Sequence, residues 1–273
     1  MPAWSAPVSW AVFVLALGLA GVAAAAAEVG TGEGWFVRAA PALTTLLVAV
    51  PLLLVVHRRR RTVLALRNPR QAVVGAGVVL TSAVAVFGVG AAAGATRVSG
   101  VDASVLVTFL VLNTLAALAL EAVPEELAFR GGVFGALASR VPTLPAAAAT
   151  TALFVLAPAA SISLTWAVGS ALGLPVPPPT FAPGGQDPVA YAVLLAVFGS
   201  MLVLARLATG SVWACVAAHL TFLTVNRTVF PSASFRTGVD VAVAPGAELL
   251  VLVYLGLATA GFAVLARRHR TGR

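Results

Sequence analysis

The chain has 273 residues, of which 60% are hydrophobic and 10% are charged, and its mean hydropathy is +1.01. A soluble domain carries about 25% charged residues, so lipid has to be the solvent for most of this surface. The formal net charge is +8. It does not indicate a nucleic-acid partner, because the cations lie at the ends of apolar runs and form no stripe with interleaved aromatic residues. The single cysteine, Cys215, excludes an intramolecular disulfide and a cysteine-rich zinc module.

Apolar runs long enough to cross a bilayer, which takes about 20 residues, occur about eight times along the chain. They lie near residues 8–27, 40–56, 72–94, 102–123, 143–165, 189–207, 211–226 and 247–266. This pattern predicts an all-α fold, a polytopic membrane helix bundle that forms one membrane domain over residues 1–273. Residues 1–27 resemble a signal peptide only in part, because no basic residue precedes the apolar stretch and the stretch exceeds an ordinary h-region. We therefore expect a retained first helix rather than a cleaved leader.

The arginines predict the orientation in the membrane. All 17 basic residues are arginine; the loop after the second run, HRRRRTVLALRNPR, carries six of them, and the tail RRHRTGR carries four. An even number of crossings separates these segments, so the positive-inside rule places both of them, and both chain termini, in the cytoplasm. The same number of crossings places Arg130, Arg140 and Arg206 on the cytoplasmic side. The remaining arginines and five acidic residues are placed in or beside the outer loops: Arg38, Arg97, Arg227, Arg236, Glu28, Glu33, Asp102, Asp187 and Asp240. The arginine bias and the heavy use of Ala, Val and Gly indicate a bacterial chain, hence a plasma membrane protein.

An acidic cluster, EAVPEELAFR, directly follows the fourth apolar run. A charged side chain at the centre of a spanning helix costs about 2.5–3.5 kcal/mol, which favours a functional reason for such a cluster. Glu121 and Glu125 share one helical face, as do Glu126 and Arg130. Pro124 loosens the helix just before the Glu125–Glu126 pair. We expect Glu126 to pair with Arg130 while Glu125 points into a cavity. The alternative is a helix cap at the cytoplasmic interface, with the arginine reaching the headgroups and the glutamates in water.

A second polar feature is the segment GSVWACVAAHL, which contains His219. This is the histidine that falls inside an apolar run, whereas His57 and His269 lie in basic segments. A lone histidine in an apolar helix is more often a hydrogen-bonded core residue than a catalytic one. Here, however, the acidic cluster needs a polar partner. The two features together predict a catalytic or proton-handling pocket at membrane depth.

The segment EELAFRGGVFGAL resembles the first signature of the CPBP family, the CAAX-protease and bacteriocin-processing intramembrane endopeptidases. In that signature two glutamates are followed by an arginine four places after the second, and then by a glycine. The matching residues are Glu125, Glu126, Arg130 and Gly131. The segment GSVWACVAAH is similar to the family's last signature, which leads to a histidine. The resemblance covers a core of about residues 100–226.

The resemblance implies hydrolysis of a peptide bond inside the membrane, without a cofactor. Glu125 would be the general base that activates water, Glu126 with Arg130 would hold the helix and tune that base, and His219 would serve the oxyanion side. The implied partners are membrane lipids and a hydrophobic or lipidated peptide or protein substrate, with no nucleic acid. The sequence carries no signal for an oligomeric state.

The chain departs from the family pattern at two positions. The middle signature, Phe-x-x-x-His, aligns with TALFVLAP, which gives Phe154 but Pro158 where the histidine belongs. The asparagine expected four residues after His219 is Leu223. Asn226 lies about 10.5 Å along the helix axis from that histidine, which is too far to share one oxyanion, so it is an accessory candidate only. These departures put the activity in question.

Several alternatives therefore stay open. Glu121 is a second accessory candidate, because it lies one turn from Glu125 and paired carboxylates can share a proton. A catalytic zinc site needs three protein ligands, and the available glutamates and one histidine do not support the prediction of such a site. We expect Cys215 to be a packing residue. The chain is an intramembrane endopeptidase, a catalytically inactive relative that acts as a membrane binding or scaffold protein, or a small proton-coupled carrier with a glutamate relay.

Overall fold

The computed structural model describes residues 4–30, 34–230 and 236–271, so Glu33 lies outside the described residues. The described ranges form a bundle of eight long helices. They are α1 Ser5–Gly30, α2 Gly34–Val56, α3 Gln71–Ala92, α4 Ala103–Ala138, α5 Thr143–Ala171, α6 Pro188–Thr209, α7 Val212–Val229 and α8 Leu250–Thr271. Seven of them, all except α7, are long and apolar enough to cross a membrane. The structure confirms the predicted all-α membrane bundle.

Short elements connect the helices. Single turns of 3₁₀-helix lie at Arg61–Leu64, Pro183–Gly185 and Ala247–Leu249. An antiparallel ribbon pairs strand β1, Thr96–Val101, with strand β2, Val239–Val243. This ribbon joins the start of α4 to the segment before α8, and the local sequence pattern did not predict it.

Helix α4 is much longer than the sequence predicted. The apolar run ends near residue 123, whereas the helix continues to Ala138 and has 36 residues. Its length of about 54 Å exceeds the bilayer core of about 30 Å. Two wide π-helical segments, Leu118–Ala122 and Leu127–Val133, flank one α-helical turn that contains Pro124. Proline has no backbone N–H and cannot donate the usual helical hydrogen bond. The wider π turns beside it accommodate this missing bond. The boundary at residue 123 is therefore wrong, and the acidic cluster lies inside the helix.

The start of α4 is fixed by a side-chain cap. The Asp102 carboxylate accepts hydrogen bonds from the backbone amides of Ser104 and Val105, at 3.0 and 3.1 Å. The Ser104 hydroxyl also donates to it, and this bond, before the others, holds the pKa of Asp102 below its ordinary value. A capped start fixes where the helix begins, and with it the position of the acidic cluster along the helix axis.

Helices α6 and α7 form an antiparallel pair joined by only two residues. Gly210, with φ of 69°, ends α6 in the left-handed conformation that suits glycine. The Ser211 hydroxyl caps α7 by accepting a bond from the Trp213 amide at 3.2 Å. The tight turn brings the two helices side by side, with α4 against both.

The backbones of α3 and α7 approach each other closely at Gly75. A Cβ atom placed on Gly75 would overlap the Ala214 carbonyl, whereas one on Gly77 would meet nothing within 4 Å. The contact therefore requires glycine, because even a methyl group would push the helices apart.

We expect Gly75→Ala to destabilise the protein by about 1–3 kcal/mol, the usual effect of overpacking a core. Gly77→Ala is the matched control on the same helix; it should leave stability unchanged or raise it slightly, because alanine favours the helix. Thermal unfolding followed by circular dichroism in detergent measures both variants. Equal melting temperatures for the two variants would contradict the close approach.

Candidate functional site

The acidic cluster and the histidine meet in the middle of the bundle. His219 Nδ1 on α7 lies 2.9 Å from Glu126 Oε1 and 4.0 Å from Glu125 Oε2, both on α4. The histidine is 2% exposed. The structure thus brings together, from distant parts of the chain, the acids and the imidazole that the sequence singled out.

Glu126 and Arg130 form a fully buried ion pair. Arg130 Nη1 lies 3.2 Å from Glu126 Oε1, and both side chains are 0% exposed. Arg130 Nη2 also donates to the Gly199 carbonyl on α6 at 3.1 Å, and the guanidinium lies 4.4 Å from the Phe154 ring centroid. An arginine enclosed in this way does not reach the headgroups. The alternative of a solvated helix cap at the interface is therefore wrong for this pair.

The imidazole of His219 is held on two sides. Its Nδ1 faces the Glu126 carboxylate, which only accepts, so Nδ1 is the donor of that bond. Phe198 packs edge-on against the ring, with centroids 4.8 Å apart. The carboxylate bond at Nδ1 leaves Nε2 as the ring nitrogen that can act on a substrate.

Unlike Glu126, Glu125 forms no ion pair with an arginine among the described residues. It forms no hydrogen bond with a described residue, and its ion-pair contact among these residues is with the imidazole of His219 at 4.0 Å. Its side chain is 15% exposed, against 0% for Glu126. One carboxylate is thus fixed by cations, while the other is free to bind a water molecule.

A second polar cluster on the same helices was missed by the sequence analysis. Arg227 Nη2 donates to Glu121 Oε1 at 2.6 Å, and Nη1 donates to Asn113 Oδ1 at 2.8 Å. Asn113 in turn donates to Thr224 Oγ1 at 3.1 Å. The arginine, expected in the outer loop, therefore packs against α4. The signal was present, because an asparagine inside an apolar run and an arginine on the histidine helix are both unusual at membrane depth.

This pairing changes the interpretation of Glu121. The Glu121 carboxylate is bound by the Arg227 guanidinium, an ion pair that competes with the proton sharing between Glu121 and Glu125 considered from the sequence. The other accessory candidate, Asn226, has a buried side-chain oxygen without a hydrogen-bond partner among the described residues.

The two departures from the family pattern are partly buried apolar residues within helices. Pro158 lies inside α5, and Leu223 packs against the main hydrophobic core. Phe154, the matching residue of the middle signature, lies under the Arg130 guanidinium. These positions contribute apolar surface, not hydrogen-bond donors.

The site offers ligand atoms for a metal but also a competing cation. Atoms of Glu125, Glu126 and His219 lie within 4.8 Å of one another. The Glu126 oxygen nearest the histidine is already 3.2 Å from Arg130 Nη1, and a dication there would be repelled by the guanidinium. The residues therefore fit a metal poorly. Cys215 is not part of this group; its thiol is buried and donates to the Leu202 carbonyl at 3.4 Å, as a packing residue would.

Residues 106–225 match the family model described as type II CAAX prenyl endopeptidase Rce1-like. The match extends from α4 into α7 and includes the acidic cluster, the buried arginine and His219. It confirms the resemblance noted from the sequence. Comparisons with curated proteins and with solved structures give no match.

Proposed function

We propose, from the premise that residues 106–225 of this chain belong to the Rce1-like type II CAAX prenyl endopeptidase family, that the protein is an intramembrane peptidase. Its substrate is a hydrophobic or lipidated peptide or protein associated with the membrane, and its location is a bacterial plasma membrane. One observation carries the proposal: a carboxylate without an arginine partner, Glu125, lies 4.0 Å from the His219 imidazole at the centre of a membrane bundle.

In this mechanism Glu125 accepts a proton from a water molecule as the water oxygen attacks the scissile carbonyl. The electron pair of the carbonyl moves to its oxygen, which becomes an oxyanion. Collapse of this intermediate breaks the carbon–nitrogen bond, and Glu125 returns the proton to the leaving nitrogen. A positioned base of this kind contributes about 10²–10⁴ to a hydrolytic rate.

The remaining residues orient the reacting groups. With Nδ1 bonded to Glu126, the protonated His219 ring presents Nε2–H to the oxyanion. Arg130 fixes the Glu126 carboxylate, and through it the plane of the imidazole. Glu126 and Arg130 are thus positioning residues, whereas Glu125 and His219 touch the reacting atoms.

A second candidate function is favoured by Pro158 and Leu223. With an imidazole and an amide replaced by apolar groups, the oxyanion has fewer donors than the family pattern supplies. A catalytically inactive relative would keep the same pocket and hold a lipidated segment as a binding or scaffold protein. A proton-coupled carrier is less favoured, because the Glu121 of its relay is paired with Arg227.

The test is a cleavage assay with the full chain reconstituted in liposomes. The substrates are a panel of quenched fluorescent peptides, with and without a prenylated cysteine, and mass spectrometry identifies the products. We expect cleavage by the wild type, and about a 100-fold lower rate for His219→Ala, the usual loss on removing an oxyanion donor. The control is Glu248→Gln, which changes an exposed glutamate in the 3₁₀ turn just before α8 and should keep full activity.

Two results would count against the proposal. Equal rates for the wild type and His219→Ala would remove the imidazole from the reaction. Retention of a lipidated peptide by the wild type without any cleavage would instead support the binding protein.

A further inference from the structure

The loop between α2 and α3 concentrates positive charge at one end of the bundle. This arginine loop, residues 57–70, holds six of the 17 arginines and no acidic residue. All six are exposed, and none forms an ion pair with a described residue: they are Arg58, Arg59, Arg60, Arg61, Arg67 and Arg70. Burial lowers the pKa of His57, so its ring is mainly neutral at pH 7. The charge of the loop therefore comes from its guanidinium groups.

The loop is held in place by the start of α7. Four of its carbonyl groups accept hydrogen bonds from residues that begin this helix. The bonds are Val212 N to Ala65 O at 3.1 Å, Trp213 Nε1 to Leu66 O at 2.8 Å, and Ser211 Oγ to Arg67 O at 3.0 Å and to Asn68 O at 3.2 Å. Ala65 adopts a φ of 50°, a conformation that a non-glycine residue keeps only where its surroundings determine it. The arginines thus project from a fixed backbone.

The loop also packs against α4. Leu64 is fully buried, and a Cβ atom on Gly131 would lie 3.3 Å from its Cα. A Cβ atom on Gly135 would lie 2.5 Å from the Val63 side chain, so Val63 also contacts α4 closely. The arginine loop is therefore bound to both helices that carry the candidate site.

The other connections at this end of the bundle strengthen the charge. The turn between α4 and α5 adds the exposed Arg140, and the turn between α6 and α7 has no ionisable side chain. No carboxylate of these connections competes for the arginines. Arg58 follows the last residue of α2 by two positions, which places the charge at the level of the lipid headgroups.

We propose that the arginine loop binds the phosphate groups of anionic phospholipids. The guanidinium fork matches a phosphate and donates two bonds to it. Clusters of four to eight cations directly beside a spanning helix attract anionic lipid. The ligand is a lipid headgroup and not free phosphate, because the charge lies where a spanning helix leaves the bilayer. This binding surface is independent of the proposed peptidase activity.

The experiment measures lipid selectivity of the full chain in liposomes by electron spin resonance. Spin-labelled phosphatidylglycerol and phosphatidylcholine report the ratio of their association constants with the protein. We expect a ratio of about three or more at low salt. The double variant Arg59→Gln, Arg60→Gln should reduce it by about half or more. The matched control, Arg97→Gln with Arg236→Gln, changes two exposed arginines near the ribbon and should leave the ratio unchanged.

Three results would overturn the proposal. The first is the absence of any wild-type preference for the anionic lipid. The second is an equal loss of selectivity in the two double variants. The third is loss of the preference in 10 mM inorganic phosphate at matched ionic strength. The last result would assign the loop to free phosphate. A loss confined to the Arg59 and Arg60 variant, with unchanged melting temperature and unchanged selectivity in phosphate, supports the lipid site.

Discussion

Replacement of Glu125 by glutamine should lower the rate of peptide cleavage by about two to four orders of magnitude, the range expected on loss of a general base. The amide keeps the size of the side chain but cannot accept the proton of the attacking water. Substrate affinity and melting temperature should stay near the wild-type values. The physical reason is that Glu125 pairs with no arginine among the described residues, and that His219, which lies 4.0 Å from it, keeps its hydrogen bond to Glu126 when the charge of Glu125 is removed.

Rates measured in the liposome cleavage assay, with single-turnover analysis to separate binding from chemistry, check this expectation. A loss in kcat with an unchanged KM identifies a group that acts in the transition state. If Glu125→Gln cleaves within tenfold of the wild type, Glu125 is not the base.

Glu121→Gln is the most informative comparison for this variant. It makes the same chemical change one turn earlier on α4, at a carboxylate paired with Arg227. We expect its rate to stay within about fivefold of the wild type, because Arg227 keeps its bond to Asn113. An equal loss in both variants would mean that the two acids act as a proton-sharing pair.

Replacement of Arg130 by methionine should lower the free energy of unfolding by about 3–5 kcal/mol, the usual effect of breaking a buried ion pair. The change removes the guanidinium bonds to Glu126 and to the Gly199 carbonyl. It leaves a carboxylate with 0% exposure without its strongest counterion. The free energy of unfolding should therefore fall much more than for an exposed arginine.

The protein carries its own reporter for this measurement. Cys215 is the single cysteine of the chain and is buried, so a thiol-reactive dye labels it only as the bundle opens. The control is Arg140→Met, an exposed arginine just after α4, which should change stability by less than about 0.5 kcal/mol.

A double variant tests whether the effect comes from the unpaired charge. Replacing both partners, with Glu126→Leu and Arg130→Met, removes the buried ions together and should be less destabilising than Arg130→Met alone. Additive losses would show that the two side chains contribute separately. A wild-type labelling rate in Arg130→Met would contradict the buried pair altogether.

The sequence predicted the features of the fold that depend on composition. Apolar runs of about bilayer length gave eight helices, and seven of the described helices meet the length and hydropathy of a membrane span. Helix α7 falls short because it carries His219, Asn226 and Arg227 within 18 residues. Orientation and the cytoplasmic position of both termini stay predictions, since they rest on the arginine count alone.

Contacts between helices that are distant along the chain could not be predicted from the sequence. The pairing of Glu126 with Arg130 was predictable, because four residues make one helical turn. The pair of Glu121 with Arg227 depends on how α4 and α7 are aligned along their axes, which no local pattern gives. A single-sequence hydropathy pattern likewise ends the fourth helix where charges begin. Only the packing around Arg130 shows that these charges are enclosed by the bundle.

The two π segments of α4 determine the direction in which the acids point. Each residue of an α-helix advances about 100° around the axis, and a π turn holds one residue more than the neighbouring turns. Deleting one residue from Leu118–Ala122 would turn a wide turn into an α-helical one and keep the direction of Glu125 and Glu126. Deleting one residue from the regular stretch Ala103–Ala117 would instead swing both acids by about 100° relative to the start of the helix. Both acids would still be present, yet they would face away from α7. The chemistry of this helix thus depends on its residue count as well as on its residue types.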